Sequence, residues 1–200
     1  MLIRFDENDF LIGLGLLCAI LPFLWWRRRS PSYLLFFSIF WIYLLVVVQT
    51  VIFPIMINMD YSNPGVMPKI NLIPFYFNYC STLKFCVIGI LGNIILTIPY
   101  GFGINFLVKV KPGNFLWLGF AVGFGFEFSQ LLISLIFRSG FRSIDINDVI
   151  LNATGVLTGY ALFKVFSRAY LKIAGRFEIK GKWLFADIYD VALQAQAAEE

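Results

Sequence analysis

The sequence predicts an all-α integral membrane protein, a helical bundle with about five transmembrane helices. Of its 200 residues, 60% are hydrophobic and the mean hydropathy is +0.80, whereas soluble domains are usually about 45–50% apolar. The apolar residues form long runs, each close to the ~20 residues that a helix needs to cross the hydrocarbon core. Lys and Arg cluster on alternate loops between these runs, as expected for a multi-pass protein.

Five apolar runs predict the five spans. The first run is short, but it ends in two tryptophans that suit a membrane interface, and an acidic segment precedes it. We therefore expect a transmembrane helix and not a cleaved signal peptide. Glycines in the third and fourth runs favour close helix packing, and a proline in the third predicts a kink. The runs are Phe10–Trp26, Tyr33–Ile57, Phe85–Leu107, Phe115–Phe137 and Val149–Phe166.

The basic residues predict the orientation of the bundle. Of the 16 Lys and Arg residues, eleven fall on one side and five on the other, and the richer side of a multi-pass protein faces the cytoplasm. We expect the N-terminus outside, the C-terminus in the cytoplasm, and the loops Asn58–Lys84 and Arg138–Asp148 facing outward. The cytoplasmic set is Arg27, Arg28, Arg29, Lys109, Lys111, Lys164, Arg168, Lys172, Arg176, Lys180 and Lys182, and the outer set is Arg4, Lys69, Lys84, Arg138 and Arg142.

Composition excludes several classes of function. The chain has no histidine, which removes histidine-based triads, metal sites and proton relays, and we expect no bound cofactor. The net charge of +4 is explained by the loops, and no basic patch lies elsewhere, so we expect no nucleic-acid partner. Cys18 lies in an apolar run, and Cys80 and Cys86 can form a disulfide only if their backbones permit it.

Two segments outside the spans mix apolar and polar residues. In the loop Asn58–Lys84, three prolines argue against a regular helix around Asn71–Phe75. That apolar segment either lies at the membrane interface, or enters the bundle, or forms an amphiphilic surface loop. In the tail, apolar residues between Trp183 and Val191 predict a short helix on the inner leaflet.

Six polar residues lie inside or next to the last two apolar runs. A carboxylate in a membrane-spanning segment is costly, so it is by default a hypothesis about function. Helical spacing places Glu127 and Gln130 on one face of the fourth span. Asp145, Asp148 and Asn152 begin a stripe that ends at Gly159 and should face a helix, because lipid cannot satisfy polar groups. Arg142 is the nearest cation to these carboxylates. The six are Glu127, Gln130, Arg142, Asp145, Asp148 and Asn152.

These residues also have structural interpretations. Asp145 suits the N-terminal cap of the fifth helix. Asp148 suits a salt bridge to Arg142 or Arg138, and the two amides suit polar contacts between helices. Glu127 suits a protonated carboxyl hydrogen-bonded between helices. The short connection predicts that the fourth and fifth spans pack antiparallel, but Glu127 lies about 16 Å along its helix from the connection. Contact with Asp148 would therefore need a cleft or a broken helix.

The motifs resemble the signature of the VanZ-like membrane protein family. An E-x-x-Q pattern begins at Glu127, an R-x-x-D-x-x-D-x-x-x-N-x-x-G pattern begins at Arg142, and a Gly-Tyr pair ends at Tyr160. The upstream Asn71–Phe75 segment and the region from Asn93 fit the same order. The resemblance covers about half of the chain, roughly from residue 71 to residue 160.

The resemblance implies a multi-pass protein of the bacterial cytoplasmic membrane. Its family core would be residues 71–166, preceded by two helices and an outer loop at 1–70 and followed by a tail at 167–200. The six polar residues would form one shared site. The founding member of the family contributes to teicoplanin resistance, and the resemblance supplies no reaction.

Two classes of function fit this pattern. In the first, the protein binds a lipid-linked cell-wall precursor or a teicoplanin-type lipoglycopeptide at the outer face, among membrane lipids. Arg142 would pair with a phosphate or carboxylate, and Gln130 and Asn152 would offer amide hydrogen bonds. The alternative is a membrane enzyme in which a buried Glu127 holds a proton and an ionised Asp148 is its partner.

Two weaker hypotheses concern the same residues. Asp145 and Asp148 together could hold a divalent cation through their oxygens. Transport along a pathway at Glu127 ranks last, because the five spans show no internal repeat.

Overall fold

A computed structural model describes residues 1–57, 68–77, 82–138, 142–177 and 183–197. It confirms the predicted all-α bundle, with five helices long and apolar enough to cross a membrane. Of the residues in the predictions above, Asn58, Cys80, Lys180 and Lys182 lie outside these ranges, and so does Pro64, one of the three prolines of the outer loop. The helices are α1 (Glu7–Trp26), α2 (Pro31–Val51), α3 (Leu83–Gly103), α4 (Phe115–Ile136), α5 (Ile146–Phe177) and a shorter α6 (Trp183–Ala197).

Local sequence explains where the first two helices begin. The Asp6 side chain accepts hydrogen bonds from two backbone N–H groups of the first turn of α1, and Asp9 completes a capping box. The Ser30 hydroxyl accepts from the Tyr33 N–H, and Pro31 occupies the first helical position of α2.

Two helix ends differ from the prediction. α2 ends at Val51 and not at Ile57, because Pro54 disfavours helix in the residue before it. The chain then forms β2 (Ile55–Met56), which pairs antiparallel with β1 (Leu2–Ile3). α5 has 32 residues, about 48 Å, so it extends well beyond the predicted Val149–Phe166. Its second half carries charged residues, which interrupt the apolar run without interrupting the helix.

α5 is the central helix and packs against α3 and α4. Gly155 contacts the Thr97 side chain and the backbone of Ile94, and Gly159 contacts the Ile98 carbonyl of α3. On the other side, Gly123 of α4 lies against the Val149 backbone. The predicted pairing of the fourth and fifth spans is confirmed, and the stripe that ends at Gly159 faces α3.

The two ends of the bundle differ. We call the end at Val51, Leu83, Ile136 and Ile146 the site end, and the opposite end the tail end. At the tail end α6 packs against α5 and α2, and the Tyr170 hydroxyl of α5 donates a hydrogen bond to a backbone carbonyl of α6 at 2.9 Å.

At the site end two short strands connect distant parts of the chain. β3 (Ile70–Asn71) pairs parallel with β4 (Ile144–Asp145), so residues 70–71, which precede α3 in the chain, are fixed against the start of α5. Cys86, in the first turn of α3, is disulfide-bonded, while Cys18 is free and exposed; Cys80 lies outside the described residues.

Candidate functional site

A cavity of about 670 Å³ opens at the site end between α2, α3 and the connection from α4 to α5. Ligand pockets in proteins usually measure about 300–1,000 Å³, so its size fits a ligand. We call the apolar residues of its lining the apolar wall; they are Val51, Pro54, Ile88, Gly89, Gly92, Ile95 and Leu96. We call the polar residues of the lining the polar wall; they are Thr50, Asn93, Gln130, Arg142, Ser143 and Asp148.

Arg142 and Gln130 connect the polar wall to the end of α2. Arg142 Nη2 donates hydrogen bonds to the carbonyl oxygens of Thr50 at 3.2 Å and Phe53 at 2.8 Å. Gln130 Nε2 donates to the Val51 carbonyl at 3.2 Å. The last carbonyls of a helix have no partner within the helix, so both side chains stabilise this end of α2.

The Arg142 side chain is partly buried. Burial lowers the pKa of its guanidinium, and the negative charges of Glu127 and Asp148 act in the opposite direction. The three groups therefore interact electrostatically, although they come from α4, the connection and α5. A half-buried cation held in this way is a strong recognition element for an anion.

Asp148 presents the carboxylate on the cavity wall. It lies in the first turn of α5, and its Oδ1 accepts a hydrogen bond from Asn93 Nδ2 of α3 at 2.8 Å. Asn93 in turn lies on the cavity wall and also donates to the Gly89 carbonyl at 3.2 Å. Asn93 was not predicted as a site residue, although the family resemblance included the segment that begins with it.

Glu127 lies behind the cavity and is 5% exposed. Its Oε2 accepts a hydrogen bond from the Asp145 N–H at 2.8 Å. Glu127 lies nine residues before the end of α4, about 14 Å along the axis, so the connection must return into the bundle before α5 starts. α4 is continuous over its whole length. Asp145 therefore reaches Glu127 because the connection returns, and the bond to Glu127 comes from the Asp145 N–H.

Asp145 caps α5 and belongs to an asparagine network. Its Oδ1 accepts from the Asn147 N–H at 2.8 Å, as the capping interpretation predicted, and from Asn71 Nδ2 at 2.9 Å. Asn147 is buried, accepts from the Phe75 N–H at 2.5 Å and donates to the Tyr76 carbonyl at 3.0 Å. The segment Asn71–Phe75 is therefore hydrogen-bonded to the start of α5.

Asn152 lies deeper, between α3 and α5. It is 1% exposed, and its backbone carbonyl accepts from the Thr97 hydroxyl at 2.8 Å. Within the part of the chain that the structure describes, its side-chain Oδ1 has no hydrogen-bond partner. Of the six predicted residues, the cavity wall thus brings together Gln130, Arg142 and Asp148, and the other three lie behind it.

Sequence reasoning did not select Asn147 as part of the site. It falls outside the helical stripe that contains Asp148, and an asparagine in a first turn usually faces solvent. No local signal marked it, because the side chain bonds to Phe75 and Tyr76, 72 and 71 residues earlier in the chain.

Five membrane-length helices and a charged cavity at one end define a multi-pass membrane protein with a polar site built into its bundle. The chain matches the VanZ/LLP1 family model over residues 40–167, and it belongs to this family. The match includes every cavity residue and begins inside α2, so it extends further than the predicted region 71–160. No curated protein and no solved structure matches the chain.

Proposed function

We propose that this protein binds the anionic head group of an amphiphile at the outer face of the bacterial cytoplasmic membrane. The ligand is a lipid-linked cell-wall precursor or a lipoglycopeptide antibiotic of the teicoplanin type, and its retention contributes to antibiotic resistance. The observation that carries the proposal is the cavity of about 670 Å³ whose lining combines Arg142 with apolar residues of α2 and α3. Such a cavity suits a molecule with a charged head and a hydrocarbon chain.

Two observations support an outward site end. Eleven of the 16 basic residues belong to the tail-end side by sequence, which favours a cytoplasmic tail end. Cys86 at the site end is disulfide-bonded, and disulfides persist outside the reducing cytoplasm.

The polar wall supplies complementary groups for a phosphorylated head. The planar guanidinium of Arg142 matches the geometry of phosphate and carboxylate oxygens. The amides of Gln130 and Asn93 offer donors and acceptors, and the Asp148 carboxylate accepts from a hydroxyl or ammonium group. Asp148 also opposes the positive potential, so it weakens the binding of a simple anion.

Binding is favoured over the enzyme alternative by the position of the carboxylates. Acid and base catalysis by two carboxylates requires both to reach the substrate. Asp148 lies on the cavity wall, whereas Glu127 lies behind it and accepts the Asp145 N–H. The arrangement therefore offers one carboxylate to a ligand and uses the other to hold the start of α5.

The proposal predicts that the protein binds an anionic amphiphile more tightly than a neutral one. The variant Asp148→Asn should increase this difference. We expect the purified protein in lipid nanodiscs to bind undecaprenyl phosphate or teicoplanin at least about tenfold more tightly than neutral undecaprenol, since ~1.4 kcal/mol corresponds to tenfold. Asp148→Asn keeps an oxygen for the Asn93 amide and removes a negative charge. It should tighten phosphate binding by roughly fivefold, because like charges in a partly buried site repel by about 1 kcal/mol or more.

Measuring undecaprenyl phosphate and teicoplanin separately distinguishes the two candidate ligands. Tight binding of undecaprenyl phosphate alone assigns the precursor, and tight binding of teicoplanin alone assigns the antibiotic. Equal affinity for the phosphate and the neutral alcohol, with no binding of teicoplanin, would contradict the proposal. Teicoplanin susceptibility of a Gram-positive host with and without the protein then measures the contribution to resistance.

A further inference from the structure

α2 and α3 touch at the tail-end half and separate at the site end. The Tyr43 hydroxyl of α2 donates to the Leu96 carbonyl of α3 at 2.7 Å. Further toward the tail end, the rings of Phe40 and Tyr100 lie 5.5 Å apart, and those of Phe36 and Phe106 are stacked at 4.4 Å. Toward the site end, α2 is instead hydrogen-bonded to Gln130 and Arg142.

The opening between the two helices forms the apolar part of the cavity. Along α3 the opening extends from Leu96 to Gly89, a distance of seven residues or about 10 Å. Ile88 and Ile95 line it, and they are 55% and 60% exposed. Because α3 spans the membrane, this exposed surface faces the hydrocarbon of the surrounding leaflet. The cavity is therefore a cleft that opens sideways into lipid.

Two glycines of α3 lie on the cleft. A Cβ atom built on Gly89 or on Gly92 has no other atom within 4 Å. This differs from Gly155 and Gly159, where a Cβ would overlap α3. Among the described residues, the two cleft glycines thus make no close helix contact, and the space beside them has room for a ligand.

We infer that the hydrocarbon chain of a membrane-resident lipid phosphate enters sideways between α2 and α3. The chain lies against Gly89 and Gly92, and the phosphate reaches Arg142 at the polar wall. This inference rests on the proposed function and narrows it, because a ligand that enters from the leaflet is a lipid and not an antibiotic that arrives from water. The charge of Arg142 complements the head, and the apolar cleft complements the chain.

Photocrosslinking tests the position of the chain. The full protein in lipid nanodiscs is loaded with a polyprenyl phosphate that carries a diazirine in its chain, and labelled residues are mapped by mass spectrometry. We expect labelling of α3 between Ile88 and Leu96 to exceed that of the lipid-facing surface of α4 by about fivefold, as a specific site requires. Excess unlabelled polyprenyl phosphate should remove the difference.

A matched pair of variants sharpens the test. Gly92→Leu fills the cleft and should lower the α3 labelling by about fivefold. Gly125→Leu adds the same side chain to α4 at a position that also has open space around it, and it should leave the labelling within about twofold. Uniform labelling of all lipid-facing surfaces, or an equal effect of the two variants, overturns the inference.

A second probe separates this inference from the proposed function. A short-chain, water-soluble prenyl phosphate reaches the polar wall without using the cleft. If it binds in a manner that requires Arg142 while the chain labelling is uniform, the lateral route is wrong and the proposed function stands. If neither phosphate binds, the inference is wrong, and the proposed function stands only if teicoplanin binds.

Discussion

Replacement of Gly155 by alanine is expected to cause a large loss of folded protein. A Cβ at this position would overlap the Thr97 hydroxyl and the Ile94 carbonyl of α3. The obstacle is partly backbone, so a rotamer change cannot relieve it and α3 must move away from α5. Overpacking usually costs about 1–3 kcal/mol, and here it also stretches the hydrogen bond between Thr97 and the Asn152 carbonyl.

The measurement is thermal unfolding of the detergent-solubilised protein, followed by size-exclusion chromatography with fluorescence detection. We expect Gly155→Ala to lower the midpoint by several degrees, about 2–4 °C for each 1 kcal/mol in a protein of this size. The matched control is Gly175→Ala in the same helix, where a Cβ meets nothing within 4 Å. It should be neutral or slightly stabilising, because alanine favours helix. An equal effect of the two variants would show that α3 and α5 do not approach closely at Gly155.

Replacement of Arg142 by glutamine is expected to cause the largest loss of ligand affinity. The guanidinium supplies the positive charge on the cavity wall, and hydrogen bonds to charged groups contribute about 1.5–3 kcal/mol. Binding of undecaprenyl phosphate should therefore weaken by roughly 10- to 150-fold. Glutamine keeps an N–H donor toward the Thr50 and Phe53 carbonyls, so α2 retains part of its attachment.

The control for this variant is Lys84→Gln. Lys84 is an exposed cation at the site end, in the first turn of α3, and it does not belong to the cavity wall. Its replacement removes the same charge from the same end of the protein and should change affinity by less than about threefold, because solvent screens exposed charges. Equal losses in both variants would mean that a general surface potential, and not the cavity, attracts the ligand. Thermal midpoints measured in parallel separate unfolding from loss of binding.

The helices could be predicted because each is encoded by its own apolar run. The pairing of α4 with α5 could be predicted as well, since the connection is short and the stripe through Asp148 and Asn152 requires a protein neighbour. The length of α5 could not, because its second half is held by contacts with α6 and no longer by an uninterrupted apolar run. For the same reason, hydropathy alone placed its end at Phe166.

The candidate site was harder to predict, because its geometry depends on contacts between distant segments. Asn71 meets Asp145 only through the parallel pairing of β3 with β4, and no local pattern encodes that pairing. The depth of Glu127 argued against contact with the start of α5, until the return of the connection brought the Asp145 N–H to it. The cavity itself arises where α2 and α3 separate, which depends on packing in the opposite half of the bundle.

Cysteine accessibility in intact cells tests most directly whether the cavity opens at the outer face. Ser143 is exposed on the cavity wall, and Lys111 is exposed at the tail end. In a Cys18→Ala background, Ser143→Cys should react with a membrane-impermeant maleimide added to intact cells, whereas Lys111→Cys should react only after permeabilisation. Bound polyprenyl phosphate should protect the cysteine at 143. Labelling of Lys111→Cys but not of Ser143→Cys in intact cells would place the cavity in the cytoplasm and contradict the account.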